Sequence, residues 1–206
     1  MDEKVLQSIL KQHKDAVAKT ADNILIKNLK PISTGSLALD IALGLPLPYG
    51  ITEFAGAKGV GKTTIALEST ANAQKAGFEA HYFNIERSVN ERSFDGIALD
   101  RKALTVWYPS SAEETLDIIE SLVRSGKNKF LVIDSVAALV SEKALTESAS
   151  KEFMALIARL LSGWLPKAQM LLERQESVLL LVNQLRENLN PYAGPYRTPG
   201  GNSKDY

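Results

Sequence analysis

Apolar residues follow two alternating patterns along this chain from residue 51 onward. Short continuous apolar runs are typical of buried strands, and the longer segments between them carry apolar residues at helical spacing. The segment 112–125, for example, places Leu116, Ile119 and Val123 on one face of a helix. The predicted strands are 51–55, 80–85, 104–107, 129–134 and 177–182, and the predicted helices are 62–76, 91–98, 112–125 and 151–174. This alternation predicts an α/β fold with a mainly parallel central sheet and helices on both faces.

The first thirty residues follow a different pattern. Residues 3–19 carry apolar positions at helical intervals and predict a short amphipathic helix, and Asn23–Leu29 is a β-capable run without a neighbouring strand. Pro31 and the turn-rich segment 33–36 separate this part from the rest. We therefore predict an amino-terminal arm over 1–30 and a core over 31–206. The isolated run could be an edge strand of the chain's own sheet or part of a frayed tail.

A glycine-rich motif lies between the first predicted strand of the core and the first predicted helix. Glycines allow successive backbone N–H groups to converge on phosphate oxygens, and the following helix directs its positive end at them. A motif of this kind in the order strand, loop, helix is typical of a P-loop, whereas a glycine-rich turn with a solvated lysine is the alternative. The predicted phosphate-binding residues are Gly56, Ala57, Lys58, Gly59, Val60, Gly61, Lys62, Thr63 and Thr64.

Two further residues complete the expected chemistry of such a site. Asp134 ends the apolar run 129–134 and, with the hydroxyl of Thr63, is predicted to hold Mg²⁺; a carboxylate that caps a turn is the alternative. Glu86 ends the predicted strand 80–85 and could act as general base, provided that this strand lies beside the strand of the phosphate loop. A charged residue that merely leaves a strand, which is common, is the alternative.

Composition limits the possible partners. The chain has 24 lysine and arginine residues and 24 aspartate and glutamate residues, so any contact with a nucleic acid must be local. It contains no cysteine, which excludes disulfides and thiolate metal sites. No apolar run reaches the roughly 18 residues of a membrane-spanning helix. We therefore expect a soluble, cytoplasmic protein with no membrane contact.

Four stretches together resemble the bacterial RecA recombinase family. They are residues 32–44, the phosphate loop, residues 132–139 (Val-Ile-Asp-Ser-Val-Ala-Ala-Leu) and residues 182–186 (Val-Asn-Gln-Leu-Arg). The resemblance spans about residues 32–202 in family order. It implies a RecA-like P-loop NTPase that uses ATP and Mg²⁺, coats single-stranded DNA as a helical filament, pairs it with homologous duplex DNA and catalyses strand exchange.

The resemblance also assigns roles to single residues. Lys62 and Thr63 match the P-loop lysine and the magnesium threonine, Asp134 matches the Walker B aspartate, and Glu86 matches the catalytic glutamate. Gln184 matches the glutamine that senses the γ-phosphate and couples ATP to DNA affinity. Without the resemblance, an amide that satisfies a turn at a strand end would be the simpler interpretation.

Two segments correspond to the family's DNA-binding loops, about 146–155 and 185–202. In the family, apolar side chains wedge between base triplets, while arginines and backbone N–H groups contact the DNA backbone. The matching residues here are Met154, Arg159, Arg186, Leu189, Gly200, Gly201 and Asn202. Met154 could equally be a core residue, and Arg159 a solvated charge or part of an ion pair. The region 186–204 is rich in Asn, Pro, Gly and Tyr and is predicted to be a long loop.

The family also suggests a role for the arm, because in the family an amino-terminal helix and strand dock on the neighbouring subunit and link the filament. The chain departs from the family pattern in other places. It stops at Tyr206, so the family's following strands and carboxy-terminal domain are expected to be missing and hydrolysis to be slow. Ser93 and Phe94 lie where the family stacks a tyrosine on adenine.

The DNA-binding segments depart from the family as well. Glu187 and Asn188 weaken the positive field of the second loop, and Pro166 is expected to interrupt a helix. Three functions follow, in this order. The first is an ATP-dependent DNA recombinase with DNA-dependent ATPase activity. The second is a RecA-fold assembly or recombination-accessory module with little hydrolysis or strand exchange, and the third is a small-molecule kinase.

Overall fold

The computed structural model of the chain describes residues 5, 8, 11, 30, 32–44, 47–146, 152–187 and 196–197. Side chains are described throughout these ranges except at 145, 146, 152–154, 186, 187, 196 and 197. Of the predicted arm, Val5, Ser8 and Lys11 are helical, in agreement with the expected helix at those positions. The strand-like run Asn23–Leu29 lies outside the described residues.

Five parallel strands form the central sheet of the described part of the chain. Their order across the sheet is β1-β5-β4-β2-β3. The strands are β1 (Gly50–Gly56), β2 (Glu79–Asn84), β3 (Leu104–Trp107), β4 (Lys129–Asp134) and β5 (Val178–Gln184). The central strands β4 and β5 are buried along almost their whole length, as expected for strands covered on both faces.

Helices cover both faces of this sheet. The helices are α1 (Leu37–Leu43), α2 (Lys62–Lys75), α3 (Ala112–Ser125), α4 (Glu142–Thr146) and α5 (Glu152–Arg174), with 3₁₀ turns at Glu91–Phe94 and Val136–Ala138. α2 packs on one face, where Leu67, Tyr82 and Leu180 belong to one buried cluster. α3 and α5 pack on the other face, where Ile119 and Leu165 belong to a second cluster. The predicted α/β architecture is confirmed.

The strand order shows that one assumption about Glu86 was wrong, namely that its strand lies beside the strand of the phosphate loop. β2, which leads to Glu86, does not lie beside β1, because β5 and β4 lie between them. Hydrophobic pattern defines strands but carries no information about which strands pair. Glu86 nevertheless approaches the phosphate loop, because its backbone N–H donates to the carbonyl of Asp134 at 3.1 Å and continues the sheet past the end of β2.

Two other predicted elements differ from the structure. The helix expected over 91–98 is a single 3₁₀ turn, since Asp95 is extended and Gly96 has a positive φ of 80°. The long loop expected over 186–204 contains a short antiparallel ribbon of β6 (Arg186–Glu187) and β7 (Tyr196–Arg197). Both corrections concern short segments, where local pattern is least informative.

Pro166 does not interrupt its helix, contrary to expectation, and α5 runs through it. A proline inside a helix costs about 3 kcal/mol, because a hydrogen bond is lost and the ring crowds the preceding turn. Leu161, Leu165 and Leu172 of the same helix are buried against the sheet. Each such burial stabilises the helix by about 1.5–3 kcal/mol, so packing outweighs the local penalty.

The segment before β1 is fixed to α2 by polar contacts. Asp40 accepts hydrogen bonds from the Thr34 backbone N–H at 2.9 Å, the Thr34 hydroxyl at 2.7 Å and the Ser33 hydroxyl at 2.5 Å. The Thr34 carbonyl in turn accepts from the Ser69 hydroxyl of α2 at 3.3 Å. This network holds the segment 33–40, which includes the first turn of α1, against α2.

A polar cluster lies at the amino end of the sheet, opposite the phosphate loop. His81 is buried and its Nδ1 accepts from the indole N–H of Trp107 at 3.3 Å. Since Nδ1 is an acceptor, Nε2 carries the proton and donates to Glu79 at 3.0 Å. Burial lowers the pKa of His81, against the opposing effect of the Glu79 carboxylate. The nearby ammonium of Lys129 forms an ion pair with Glu79 and lowers the pKa of that carboxyl.

Within the described ranges, no helix is both long enough and apolar enough to cross a membrane.

Candidate functional site

The glycine-rich loop connects the end of β1 to the first turn of α2. Gly59 and Gly61 have φ values of 81° and 92°, a region that side chains with a Cβ adopt only with strain. Gly61 is the residue that precedes α2, and no side chain of the described residues caps this helix end. The free N–H groups of the first turn therefore face the space above the loop, where an anion is favoured.

The ammonium of Lys62 lies folded against the loop itself. Its Nζ donates to the Ala57 carbonyl at 2.7 Å and to the Gly56 carbonyl at 3.0 Å. A lysine side chain has several rotatable bonds and three donors, so it can exchange these carbonyls for phosphate oxygens without movement of the backbone. Gly56 and Ala57 thus act here through their carbonyl groups.

A buried carboxylate lies beside the first turn of α2. Oδ2 of Asp134 accepts hydrogen bonds from the Thr63 hydroxyl at 2.7 Å and from the Tyr82 hydroxyl at 2.7 Å. Asp134 is 1% exposed and Tyr82 is fully buried. Burial, followed by the charge of Asp134, raises the pKa of Tyr82, so the phenol stays protonated and acts as donor. The sequence interpretation identified Asp134 and Thr63 but missed Tyr82, whose position in an apolar run gave no signal.

Glu86 lies on the opposite side of the same space. Its carboxylate accepts from the Ser135 hydroxyl at 3.3 Å and from Nε2 of Gln184 at 3.4 Å. Glu86 is exposed, and Gln184 at the end of β5 is half-buried. The structure therefore brings together two residues that are 98 positions apart and were predicted separately as base and sensor. Ser135, the residue after Asp134, was not predicted.

These side chains surround one cleft, which we call the phosphate cleft. Its volume is about 290 Å³, and it opens at the carboxyl ends of the strands, where open α/β sheets bind ligands. It is lined by Lys58, Gly59, Gly61, Lys62, Thr63, Thr64, Glu86, Ser88, Asp134, Ser135, Val182 and Gln184. Of these residues, Ser88, Ser135 and Val182 were not predicted.

The oxygen groups of the cleft fit one kind of metal. The described residues include no group of three or more histidine, cysteine, aspartate or glutamate side chains that could enclose an ion. Asp134 and Thr63 offer one carboxylate and one hydroxyl at the same point. Mg²⁺ accepts few protein oxygens and keeps its remaining positions for water and phosphate, so this donor set suits Mg²⁺ held jointly with a nucleotide.

The carboxyl end of β5 is hydrogen-bonded to the phosphate loop. The backbone N–H of Leu185 donates to the carbonyl of Gly56 at 3.0 Å, and Gln184 lies opposite Gly56 in the register of β1 and β5. Arg186 follows at once in the β6–β7 ribbon. One hydrogen bond therefore connects the backbone of the phosphate loop to the segment that is predicted to contact DNA.

The remaining predicted DNA-binding residues are only partly described. Met154 and Arg159 both lie in α5, where Arg159 is exposed; the side chain of Met154 lies outside the described residues. Leu189, Gly200, Gly201 and Asn202 also lie outside them, as do residues 147–151 of the first predicted loop. These assignments stay predictions.

Phe94, the aromatic residue considered for adenine stacking, lies outside the lining of the phosphate cleft. Phe94 is partly buried against the cluster beneath α2, and the guanidinium of Arg101 lies 5.4 Å from its ring centre. The Ser93 hydroxyl accepts from the backbone N–H of Asn90 within the 3₁₀ turn. Neither side chain lines the phosphate cleft.

Comparison with known proteins agrees with the resemblance seen in the sequence. A family model described as the RecA N-terminal domain matches residues 2–206. Protein RecA of Chlorobaculum tepidum is 40% identical over 191 residues, which is 91% of this chain and 55% of the relative. Protein RecA of Symbiobacterium thermophilum is 38% identical over 191 residues, again 91% of this chain and 55% of the relative.

A third relative, protein RecA of Bifidobacterium breve, is 40% identical over 179 residues, which is 85% of this chain and 46% of the relative. The chain therefore spans about half the length of the curated relatives it matches. With the family model matched over almost its entire length, the five-stranded parallel sheet in place and the phosphate loop at its carboxyl edge, this chain belongs to the RecA family.

Proposed function

We propose that this chain is the nucleotide-hydrolysing part of a RecA-type DNA recombinase. It binds ATP with Mg²⁺ in the phosphate cleft, assembles as a filament on single-stranded DNA through its amino-terminal arm, and promotes pairing and strand exchange with homologous duplex DNA in recombination and repair. The observation that carries the proposal is the position of Glu86, which contacts Gln184 and faces the same cleft as Lys62 and Thr63.

In this proposal the phosphate loop performs the binding step. The N–H groups of the first turn of α2 and the ammonium of Lys62 hold the β- and γ-phosphates. Lys62 exchanges the carbonyls of Gly56 and Ala57 for phosphate oxygens. Thr63 and Asp134 hold Mg²⁺, which neutralises part of the charge that develops on the phosphates.

Hydrolysis requires a water molecule in line with the γ-phosphate. The Glu86 carboxylate orients this water and accepts one of its protons as the water oxygen bonds to phosphorus. The bond between the γ-phosphorus and the bridging oxygen breaks, and that oxygen leaves with ADP. Ser135 and Gln184 hold the two oxygens of Glu86 before the nucleotide arrives.

Gln184 then links the state of the nucleotide to DNA. Its amide exchanges Glu86 for the γ-phosphate when ATP is bound, and Leu185 and Arg186 follow directly in the chain. The backbone N–H of Leu185 is also hydrogen-bonded to Gly56 of the phosphate loop. Gln184 and Leu185 therefore both contact the nucleotide site, directly before the segment proposed to bind DNA. Two arrangements of one amide are the kind of switch that such coupling requires.

The test combines nucleotide binding, turnover and imaging. Titration calorimetry measures the binding of ATP with Mg²⁺, ATP turnover is measured with and without single-stranded DNA, and electron microscopy records filaments. DNA-stimulated turnover on filaments supports the proposal. Filaments with negligible turnover would instead indicate an assembly module, and turnover that responds only to a small acceptor would indicate a kinase. The absence of binding by any purine triphosphate would overturn the proposal altogether.

A further inference from the structure

The hydroxyl of Tyr82 is a polar group within a layer composed mainly of apolar side chains. The residue is fully buried on β2, among the side chains that lie between the sheet and α2. In the described part of the chain its hydroxyl has one hydrogen-bond partner, Oδ2 of Asp134 at 2.7 Å. Phenylalanine would fill the same apolar space without the cost of burying a hydroxyl, so packing alone does not account for a tyrosine at this position.

Tyr82 and Thr63 hold the same carboxylate oxygen from two directions. Thr63 belongs to the first turn of α2 and donates to Oδ2 of Asp134 at 2.7 Å, while Tyr82 donates to the same atom from β2. Two donors on different elements fix the orientation of a carboxylate that one donor would leave free to rotate. No hydrogen bond from the described residues reaches the other oxygen, Oδ1, which stays available as an acceptor.

The same arrangement determines the role of the threonine hydroxyl. A hydroxyl has one proton and two lone pairs, and the proton of Thr63 is used by Asp134. The Thr63 hydroxyl oxygen can then offer its lone pairs to a cation, together with Oδ1 of Asp134. The orientation of the Thr63 hydroxyl and of Oδ1 depends on the position of the Asp134 carboxylate. Tyr82 is one of the two side chains that fix this position.

We infer that Tyr82 is a positioning residue for Mg²⁺, acting through Asp134. This inference rests on the proposed function, because it concerns the ion that accompanies the nucleotide in the phosphate cleft. Partners that orient a metal ligand without touching the metal are typically worth 10–100-fold in metal affinity. Loss of the Tyr82 hydroxyl is therefore expected to raise the Mg²⁺ requirement of nucleotide binding and to leave the Mg²⁺-independent part of binding unchanged.

The test compares wild-type protein with Tyr82→Phe. Binding of a fluorescent ATP analogue is titrated with Mg²⁺, and the affinity for the analogue is also measured in EDTA. We expect the half-saturating Mg²⁺ concentration to rise by about 10-fold or more in Tyr82→Phe, with an affinity in EDTA within about 2-fold of wild type. Tyr49→Phe removes a hydroxyl that accepts from the Lys30 N–H, away from the cleft, and serves as the matched control with an unchanged Mg²⁺ requirement.

A double-mutant cycle with Asp134→Asn tests the route of the effect. If Tyr82 acts through Asp134, then Tyr82→Phe adds less than about 2-fold to the Mg²⁺ requirement of Asp134→Asn. Thermal unfolding without nucleotide and Mg²⁺ is recorded for every variant, and titrations are run at a temperature where all variants are folded. A lowered melting temperature with an unchanged Mg²⁺ requirement would show that the hydroxyl only stabilises the fold, and would overturn the inference.

The wild-type titration separates this inference from the proposed function. If the wild type shows no Mg²⁺-dependent nucleotide binding, the proposed function fails and the inference fails with it. If the wild type binds with Mg²⁺ and Tyr82→Phe has the same requirement, the inference alone fails.

Discussion

Nε2 of Gln184 lies 3.4 Å from Oε1 of Glu86, across the open side of the phosphate cleft. The contact joins the end of β5 to the second residue after β2, although β4 lies between these strands. A glutamine amide in this position can hold the carboxylate or turn towards a phosphate, and the two states exclude each other. The contact is the physical basis for the first prediction.

Replacement of Gln184 with alanine should separate ATP binding from the response to DNA. The amide contributes one neutral donor to a site dominated by the phosphate loop, so ATP affinity should stay within about 3-fold. Stimulation of turnover by single-stranded DNA should fall by about 10-fold or more, since the link between nucleotide and loop is removed. Steady-state kinetics with and without DNA measure both effects.

Gln74→Ala is the control for this variant. Gln74 lies near the end of α2, and its side chain bonds the backbone of Asp100, far from the cleft. If Gln184→Ala keeps full DNA stimulation, the coupling does not pass through this amide.

Lys62→Ala and Glu86→Gln should fail at different steps. Loss of the ammonium removes a charged group that binds phosphate, so ATP binding in Lys62→Ala should become undetectable by calorimetry. Glu86→Gln keeps the shape of the side chain and one of its two acceptor oxygens, but it cannot accept a proton. It should bind ATP normally and lose about 10²–10⁴-fold in turnover.

Glu120→Gln provides the comparison for Glu86→Gln. It also exchanges a carboxylate for an amide, but at an exposed ion pair with Arg124 on α3. Its turnover should equal that of the wild type. Equal loss of ATP binding in Lys62→Ala and Glu86→Gln would remove Glu86 from the role of general base.

His81 should titrate below the ordinary histidine value of 6.5. Its burial disfavours the imidazolium, and protonation of Nδ1 would also break the hydrogen bond from Trp107. The lowered folded-state pKa means that the unfolded chain takes up the proton first as the pH falls. The contribution of His81 to stability is therefore complete above about pH 6.5 and decreases as the pH falls from there towards the folded-state pKa.

Proton NMR titration of the two histidines measures this directly. A His13→Gln variant assigns the signals, and urea unfolding between pH 5 and 8 measures the stability. A pKa of His81 at or above 6.5 would contradict the prediction.

Gly50→Ala should destabilise the fold more than Gly44→Ala. Both glycines have positive φ, 105° at Gly50 and 68° at Gly44, so both substitutions carry a backbone cost of about 1–2 kcal/mol. A Cβ on Gly50 would also lie 2.2 Å from Nε2 of Gln169, whose Oε1 accepts from the Ile51 N–H at 2.7 Å. A Cβ on Gly44 meets nothing within 4 Å.

Urea unfolding measures the difference in the free energy of unfolding between the two variants, provided that both have the same dependence on urea concentration. We expect a further loss of about 1–3 kcal/mol for Gly50→Ala, because Gln169 must move and release the start of β1. Equal losses in the two variants would show that Gln169 adapts without cost.

The elements with strong local patterns were predicted well from the sequence. The bounds of β3, β4 and α3 agree with the prediction, since their apolar spacing and their turns are local properties. The glycine-rich motif could be recognised for the same reason, because its chemistry is confined to the consecutive residues 56–64.

The pairing of distant residues could not be predicted. The strand order places β5 and β4 between β1 and β2, and this depends on how helices cross the sheet, which hydrophobic spacing does not encode. Tyr82 was read as one apolar residue of a strand, although its hydroxyl reaches a carboxylate 52 positions away. The uninterrupted path of α5 through Pro166 likewise depends on packing against the sheet and α3.

The resting position of Lys62 has a consequence for ligand choice. Its ammonium is already bound by the carbonyls of Gly56 and Ala57 at 3.0 and 2.7 Å, so an incoming anion must displace an internal competitor. Sulfate brings only two negative charges to this exchange, whereas a triphosphate brings more charge and more oxygens to the same point. We therefore expect the loop to favour polyphosphates over small anions before any base or sugar is recognised.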